Sequence, residues 1–138
     1  MTPVGIVDAG PLIAAADVDS ADHIGAIRAL QTAGLALVIP ALVVVEATHL
    51  ILKYLGVENE ARFVEGLRNF HIEAPNAEDL TRMAALIRQY AGFPLGAADA
   101  SVVALAERLD TDIIITLDRR HFRAIRPAHC ESFRLLPG

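Results

Sequence analysis

Apolar residues fall into two kinds of run along this chain. The first kind is short and unbroken: "PVGIVD" (3–8), "LALVI" (35–39) and "TDIIITLD" (111–118). Runs without alternation, rich in β-branched residues, fit strands covered on both faces. "HIEAP" (71–75) adds a brief strand, and "SFRLL" (132–136) an edge strand. The second kind spaces its apolar positions by three or four. In "DSADHIGAIRALQTAG" (19–34), Ile24, Ile27 and Leu30 recur at spacings of three and Gly34 ends a helix. "GPLIAAAD" starts a short helix with Pro11 near its first turn. Pro40 opens a helix through "ALVVVEATHLILKYL", and Gly56 stops it. "ENEARFVEGLRNF" (58–70), "NAEDLTRMAALIRQYAG" (76–92) and "LGAADASVVALAERL" (95–109) complete the helices. Asn76 is placed to cap the second of these, with Glu78 and Asp79 in its first turn. Strands alternating with helices across short connections predict an α/β domain with a mostly parallel sheet. No repeat or linker divides the chain, so residues 1–138 read as a single domain.

Composition narrows the class. Hydrophobic residues make up 54% of the 138, enough for a sizeable core. The longest apolar stretch is broken by Pro40 and Glu46, too short for a membrane span. The N-terminus has no basic flank before an apolar segment and reads as mature protein. Cys130 is the only cysteine, which fits a reducing cytoplasm. A net charge of −5 argues against a chain that coats nucleic acid non-specifically. The basic residues are uneven, however. Lys53 is the only lysine, and Arg119, Arg120, Arg123 and Arg126 cluster. Arginine suits bidentate contact with phosphate; a solvated loop and short helix would also carry such a cluster.

Four acids carry the chemistry. Glu46 stands among Leu42, Val43, Val44, Val45, Leu50, Ile51 and Leu52, where a buried carboxylate needs water or a cation. Asp8 ends "GIVD", Asp118 follows "IIITL", and Asp99 lies in "GAADASVV". Singly, each has an ordinary explanation: a turn or cap, a first-turn acid, a solvent-facing helix position. Topology joins them. Asp8 and Asp118 follow strand C-termini, and Glu46 and Asp99 lie early in helices that begin at that same edge. Open α/β sheets place ligands there. Four carboxylates with almost no basic neighbours imply a hard divalent cation, which can activate water and stabilise a phosphoryl group.

The blocks "IVDAGPLIA", "VVVEATHLI", "LGAADASVVALAERL" and "IITLDRRHF" resemble, in order and spacing, the PIN-domain ribonucleases, and most closely the VapC toxins of bacterial toxin–antitoxin pairs. The resemblance covers essentially the whole chain. It implies a PIN-like α/β/α sandwich with a mostly parallel sheet of about five strands flanked by helices. It implies that Asp8, Glu46, Asp99 and Asp118 form the catalytic, metal-binding set. Thr116 matches a hydroxyl residue that holds a water or ligand. The family is Mg²⁺- or Mn²⁺-dependent, dimerises, and is silenced by a VapB-type antitoxin in a heterotetramer or larger assembly. One position departs: the family often has Ser, Thr or Asn two residues after the first acid, and here it is Gly10. Backbone N–H groups of the following helix are expected to orient Asp8 instead.

The expected reaction is metal-assisted hydrolysis of an RNA phosphodiester, leaving a 5′-phosphate and a 3′-hydroxyl. Arg119, Arg120 and His121 are candidate substrate contacts. Two rival readings are a receiver-like phosphotransfer domain and a non-catalytic α/β interaction module. The first needs a lysine at a strand end, and Lys53 lies on a predicted helix. An Asp-x-Asp phosphatase is excluded by Gly10. His129 and Cys130 are adjacent without a second such pair, so zinc is not expected. Phe63, Phe70, Phe93, Phe122 and Phe133 read as core or interface filling, with no aromatic-and-basic array for stacking on bases.

Overall fold

A computed structural model describes residues 2–138. β1 (Val4–Val7), β2 (Ala36–Pro40), β3 (His71–Glu73), β4 (Ile113–Ile115) and β5 (Arg134–Leu136) form one sheet in the order β3-β2-β1-β4-β5. Every neighbouring pair is parallel. In the central strands, Ile6, Val7, Ile114 and Ile115 are all 0% exposed, so both faces of the sheet are covered. The cover consists of α1 (Ala9–Ala16), α2 (His23–Leu30), α3 (Ala41–Leu55), α4 (Val57–Gly66), α5 (Ala77–Gln89), α6 (Ala97–Arg108) and α7 (Arg119–Ala124). The expected α/β/α sandwich is the observed fold.

α6 is the central helix. Its residues Ala100 to Ala106 are all buried, and it packs on α3, α5, β1, β2 and β4. Its alanines and Ser101 let these neighbours approach closely. The polar end of the helix is held by ion pairs. Arg82 of α5 grips Glu107 through two bonds of 2.8 and 3.0 Å, and Arg108 reaches Asp79 at 2.9 Å and Glu73 at 3.1 Å. The expected cap of α5 is present as a reciprocal pair, Asn76 with Asp79.

The helix expected over 19–34 is shorter, because α2 covers only His23–Leu30. Asp17 accepts a bond from the Asp19 N–H, and Ser20 from the Asp22 N–H, each at 3.1 Å. Such local bonds compete with helix in this stretch. The segment 58–70 likewise divides into α4 and a 3₁₀ turn at Leu67–Asn69. α3 and α4 meet at Gly56, whose φ of 87° suits glycine. Among the described residues no helix is long and apolar enough to cross a membrane.

Candidate active site

The parallel register brings the first and last acids together. Val7 of β1 pairs with Ile115 of β4, so the next residues, Asp8 and Thr116, emerge side by side. The Asp8 N–H continues the ladder to the Ile115 carbonyl at 2.9 Å. Thr116 is 0% exposed and Asp8 is buried. The Thr116 hydroxyl donates to Asp8 Oδ2 at 2.8 Å and accepts from the Asp118 N–H at 2.9 Å. One buried hydroxyl therefore fixes the carboxylate of the first acid and the backbone of the last. Its donor is committed to Asp8, whereas the sequence suggested a residue that holds a water or ligand. It also supplies a side-chain bond to Asp8 that Gly10 cannot make. A Cβ at Gly10 would meet Leu117 side-chain atoms at 3.4–3.7 Å, ordinary contact.

The other two acids arrive on helices. Asp99 lies in the first turn of α6, half-buried. Glu46 lies a turn and a half into α3, whose buried face is Val43, Ala47 and Ile51. Glu46 itself is exposed, as is Val45 beside it. The apolar run around Glu46 is thus not a buried environment all round, and its carboxylate stands on a rim. Asp118 caps α7, its Oδ1 accepting the His121 N–H at 3.2 Å.

All four acids line one open cavity of about 430 Å³, with Ala9, Gly10, Ile13, Leu50 and Leu117 as its apolar walls. No lysine or arginine lines it. A separate groove of about 360 Å³ between α1, α2 and α4 is mainly apolar, and another cavity lies at the opposite edge of the sheet; neither contains any of these four acids. The electrostatics follow from the crowding. Burial raises the Asp8 pKa above its ordinary value; the Thr116 hydroxyl and the Ala9 N–H oppose this, and the Asp118 charge adds to it. Glu46 is raised by partial burial and then by Asp8. Asp99 is pushed up to about 6, first by burial and then by Asp8 and Glu46. Three carboxylates are therefore held in a state that a cation would relieve.

The donor set fits a hard divalent ion: the polar side chains lining this open cavity are carboxylates, with no lysine or arginine among them. Among the described residues no three acid, histidine or cysteine side chains already stand at the spacing of a closed metal shell. A hard divalent ion held through few carboxylates and several waters needs no such shell. Asp8, Glu46, Asp99 and Asp118 are the residues able to hold it.

The basic residues beside Asp118 divide in two. Arg119 Nη1 donates to the Pro137 carbonyl at 2.5 Å, tying α7 to the end of β5. Arg120, Arg123 and Arg126 are exposed. His121 Nδ1 rests against Asp118 Oδ2, but not at a hydrogen-bonding angle. Phe93, from the turn between α5 and α6, packs on the His121 ring with centroids 4.8 Å apart. From sequence this phenylalanine reads as core or interface filling. Its neighbours "AGFPLG" form a turn, the one signal that it stands outside a packed element.

A PIN-domain family model matches residues 6–126. Ribonuclease VapC26 of Mycobacterium tuberculosis is 34% identical over 134 residues, covering 96% of this chain and 99% of the relative. Among solved structures, VapC20 of Mycobacterium tuberculosis, described as a sarcin-ricin loop cleaving toxin, superposes with a TM-score of 0.73. It is 15% identical, over 80% of this chain and 86% of the other. The DNA-bound VapBC of Salmonella typhimurium has a TM-score of 0.70 at 18% identity over 96% of both chains. Sequence and fold agree with the acid-lined sheet edge: the chain belongs to the PIN-domain family, among the VapC ribonucleases.

Proposed function

We propose that this protein is the toxin of a type II toxin–antitoxin pair, a metal-dependent endoribonuclease that blocks growth when free of its antitoxin. The observation that carries this reading is the single cavity lined by Asp8, Glu46, Asp99 and Asp118 with no lysine or arginine in its lining. A Mg²⁺ or Mn²⁺ ion held there would activate the attacking water and stabilise charge on the phosphoryl oxygens. The chain's own residues set the stage. Thr116 fixes the Asp8 carboxylate and the turn bearing Asp118. Asp99 must be ionised to serve as a ligand, and its carboxyl is pushed up to about 6 in the metal-free site, so protons compete with the ion and metal affinity weakens as pH falls. The exposed Arg120 and Arg123 supply positive charge for the RNA backbone beside an otherwise anionic site. Hydrolysis leaves a 5′-phosphate and a 3′-hydroxyl.

The partner is a VapB-type antitoxin, supported by relatives solved as VapBC toxin–antitoxin complexes. We place the action in the cytoplasm, as a homodimer that joins its antitoxin in a heterotetramer or larger. Exposed apolar side chains such as Val45 and Leu52 on α3, and Leu80 and Ile87 on α5, support a protein that works in contact with others. The phosphotransfer alternative lacks its lysine, since Lys53 does not line the cavity. Incubation of the purified protein with single-stranded RNA tests the reading. Cleavage with Mg²⁺ or Mn²⁺ that stops in EDTA is expected; equal cleavage in EDTA overturns it.

A further inference from the structure

We infer that Phe93 is a specificity-determining residue: with His121 it forms a platform on which a nucleobase next to the scissile phosphate stacks. This rests on the ribonuclease reading above and deepens it.

Phe93 differs from every other phenylalanine in the chain. Phe122 is in the core, and Phe63, Phe70 and Phe133 pack against it. Phe93 does neither, yet its ring is only partly exposed, because it lies on the His121 imidazole at 4.8 Å and a 52° tilt. That histidine touches Asp118, which lines the cavity together with Asp8 and Asp99. Phe93 thus stands beside Asp118, at the edge of the carboxylate cavity.

The ring is also held in place. The Phe93 N–H donates to the Tyr90 carbonyl at 2.9 Å, closing the turn. The Tyr90 hydroxyl accepts the Arg126 N–H at 2.9 Å, which ties the same turn to the segment after α7. A stacking surface fixed before binding loses little freedom when a base arrives. α7 also presents Arg120 and Arg123 to solvent. An aromatic ring with neighbouring arginines is the chemistry that holds single-stranded nucleic acid. Every base has a π-face, so such a platform tolerates sequence but requires an unstacked base. It therefore selects single-stranded RNA over duplex.

The test compares wild type with Phe93→Ala and Phe93→Trp on a short single-stranded RNA that the wild type cuts once. A matched set of RNAs carries one abasic nucleotide at each position flanking the cut. Phe93→Ala should raise KM about tenfold with kcat nearly unchanged, and Phe93→Trp should restore it. At one flanking position the abasic RNA should cost the wild type the same factor, and Phe93→Ala should add nothing further. Thermal stability and the Mn²⁺ concentration for half-maximal rate should not move, since the ring is outside both core and cavity. The inference is overturned by Phe93→Ala acting like wild type, or by an equal further loss on every abasic RNA, which would signify a merely structural role. A wild-type protein that cuts no RNA with either metal sinks the ribonuclease reading itself, a separate and recognisable result.

Discussion

Replacing Asp99 by asparagine should stabilise the metal-free protein, and only above the acid range. In the fold the Asp99 carboxyl is pushed from 3.8 to about 6 by burial and by Asp8 and Glu46. Between these values the folded state keeps a proton that the unfolded chain has lost. Folding stability therefore falls as pH rises from about 4 to about 6, and the full penalty persists above that. A shift of about two units corresponds to roughly 3 kcal/mol. Asp99 faces an open cavity, and screening by solvent and salt reduces this to about 1–2 kcal/mol. Asparagine carries no charge and avoids the penalty. Urea denaturation in EDTA at pH 4.5 and 7.5 reads the effect. The variant should exceed wild type by about 1–2 kcal/mol at pH 7.5, and by only about a third of that gap at pH 4.5. Saturating Mn²⁺ should then narrow or reverse the difference, because the wild-type site gains more from the ion. A gap independent of pH, or a variant less stable at pH 7.5, would refute this account of the site's electrostatics.

Thr116→Val removes the bond to Asp8 and strands the Asp118 N–H; it should cost about 1–3 kcal/mol and lower kcat at least tenfold, while Thr116→Ser keeps most of both. Denaturation and single-turnover RNA cleavage measure the two effects. Gly10→Ser restores the residue type common in the family, but Leu117 accommodates the new Cβ and Thr116 already serves Asp8. Melting temperature and kcat should stay close to wild type; a large gain in kcat would show that Thr116 does not suffice. Glu107→Ala breaks the two-bond contact with Arg82 and strands the Ala128 N–H, so it should cost about 2–3 kcal/mol without changing metal binding. Chemical denaturation alongside a Mn²⁺ titration separates these.

Much of this arrangement was legible because its cause is local. The Asp after "GIV" and the Asp after "IIITL" mark strand ends by composition, and in a parallel sheet strand ends share an edge. Asn76 with Asp79 is a cap readable from spacing alone. What stayed hidden depends on register and on distant segments. The Thr116–Asp8 bond joins residues 108 positions apart, and it exists only because β1 and β4 pair with Val7 opposite Ile115. The Phe93–His121 contact needs the turn after α5 to fold onto α7, and no periodicity encodes that. Whether Glu46 faces water or a buried cation was open in the sequence, because its neighbours there are apolar. On a helix they point in different directions, and Val45 beside it is 68% exposed. Arg119 offered a phosphate contact by type, whereas its guanidinium is tied to Pro137 across the α7–β5 junction.

The most direct test of the four-carboxylate site is cleavage of one single-stranded RNA by wild type and Asp8→Asn across a Mn²⁺ titration, with the new ends sequenced. Metal-dependent cuts bearing 5′-phosphates, at least a hundredfold slower in Asp8→Asn despite an intact fold, are the predicted result. Undiminished cleavage by Asp8→Asn, or cuts that do not depend on the metal, would contradict it.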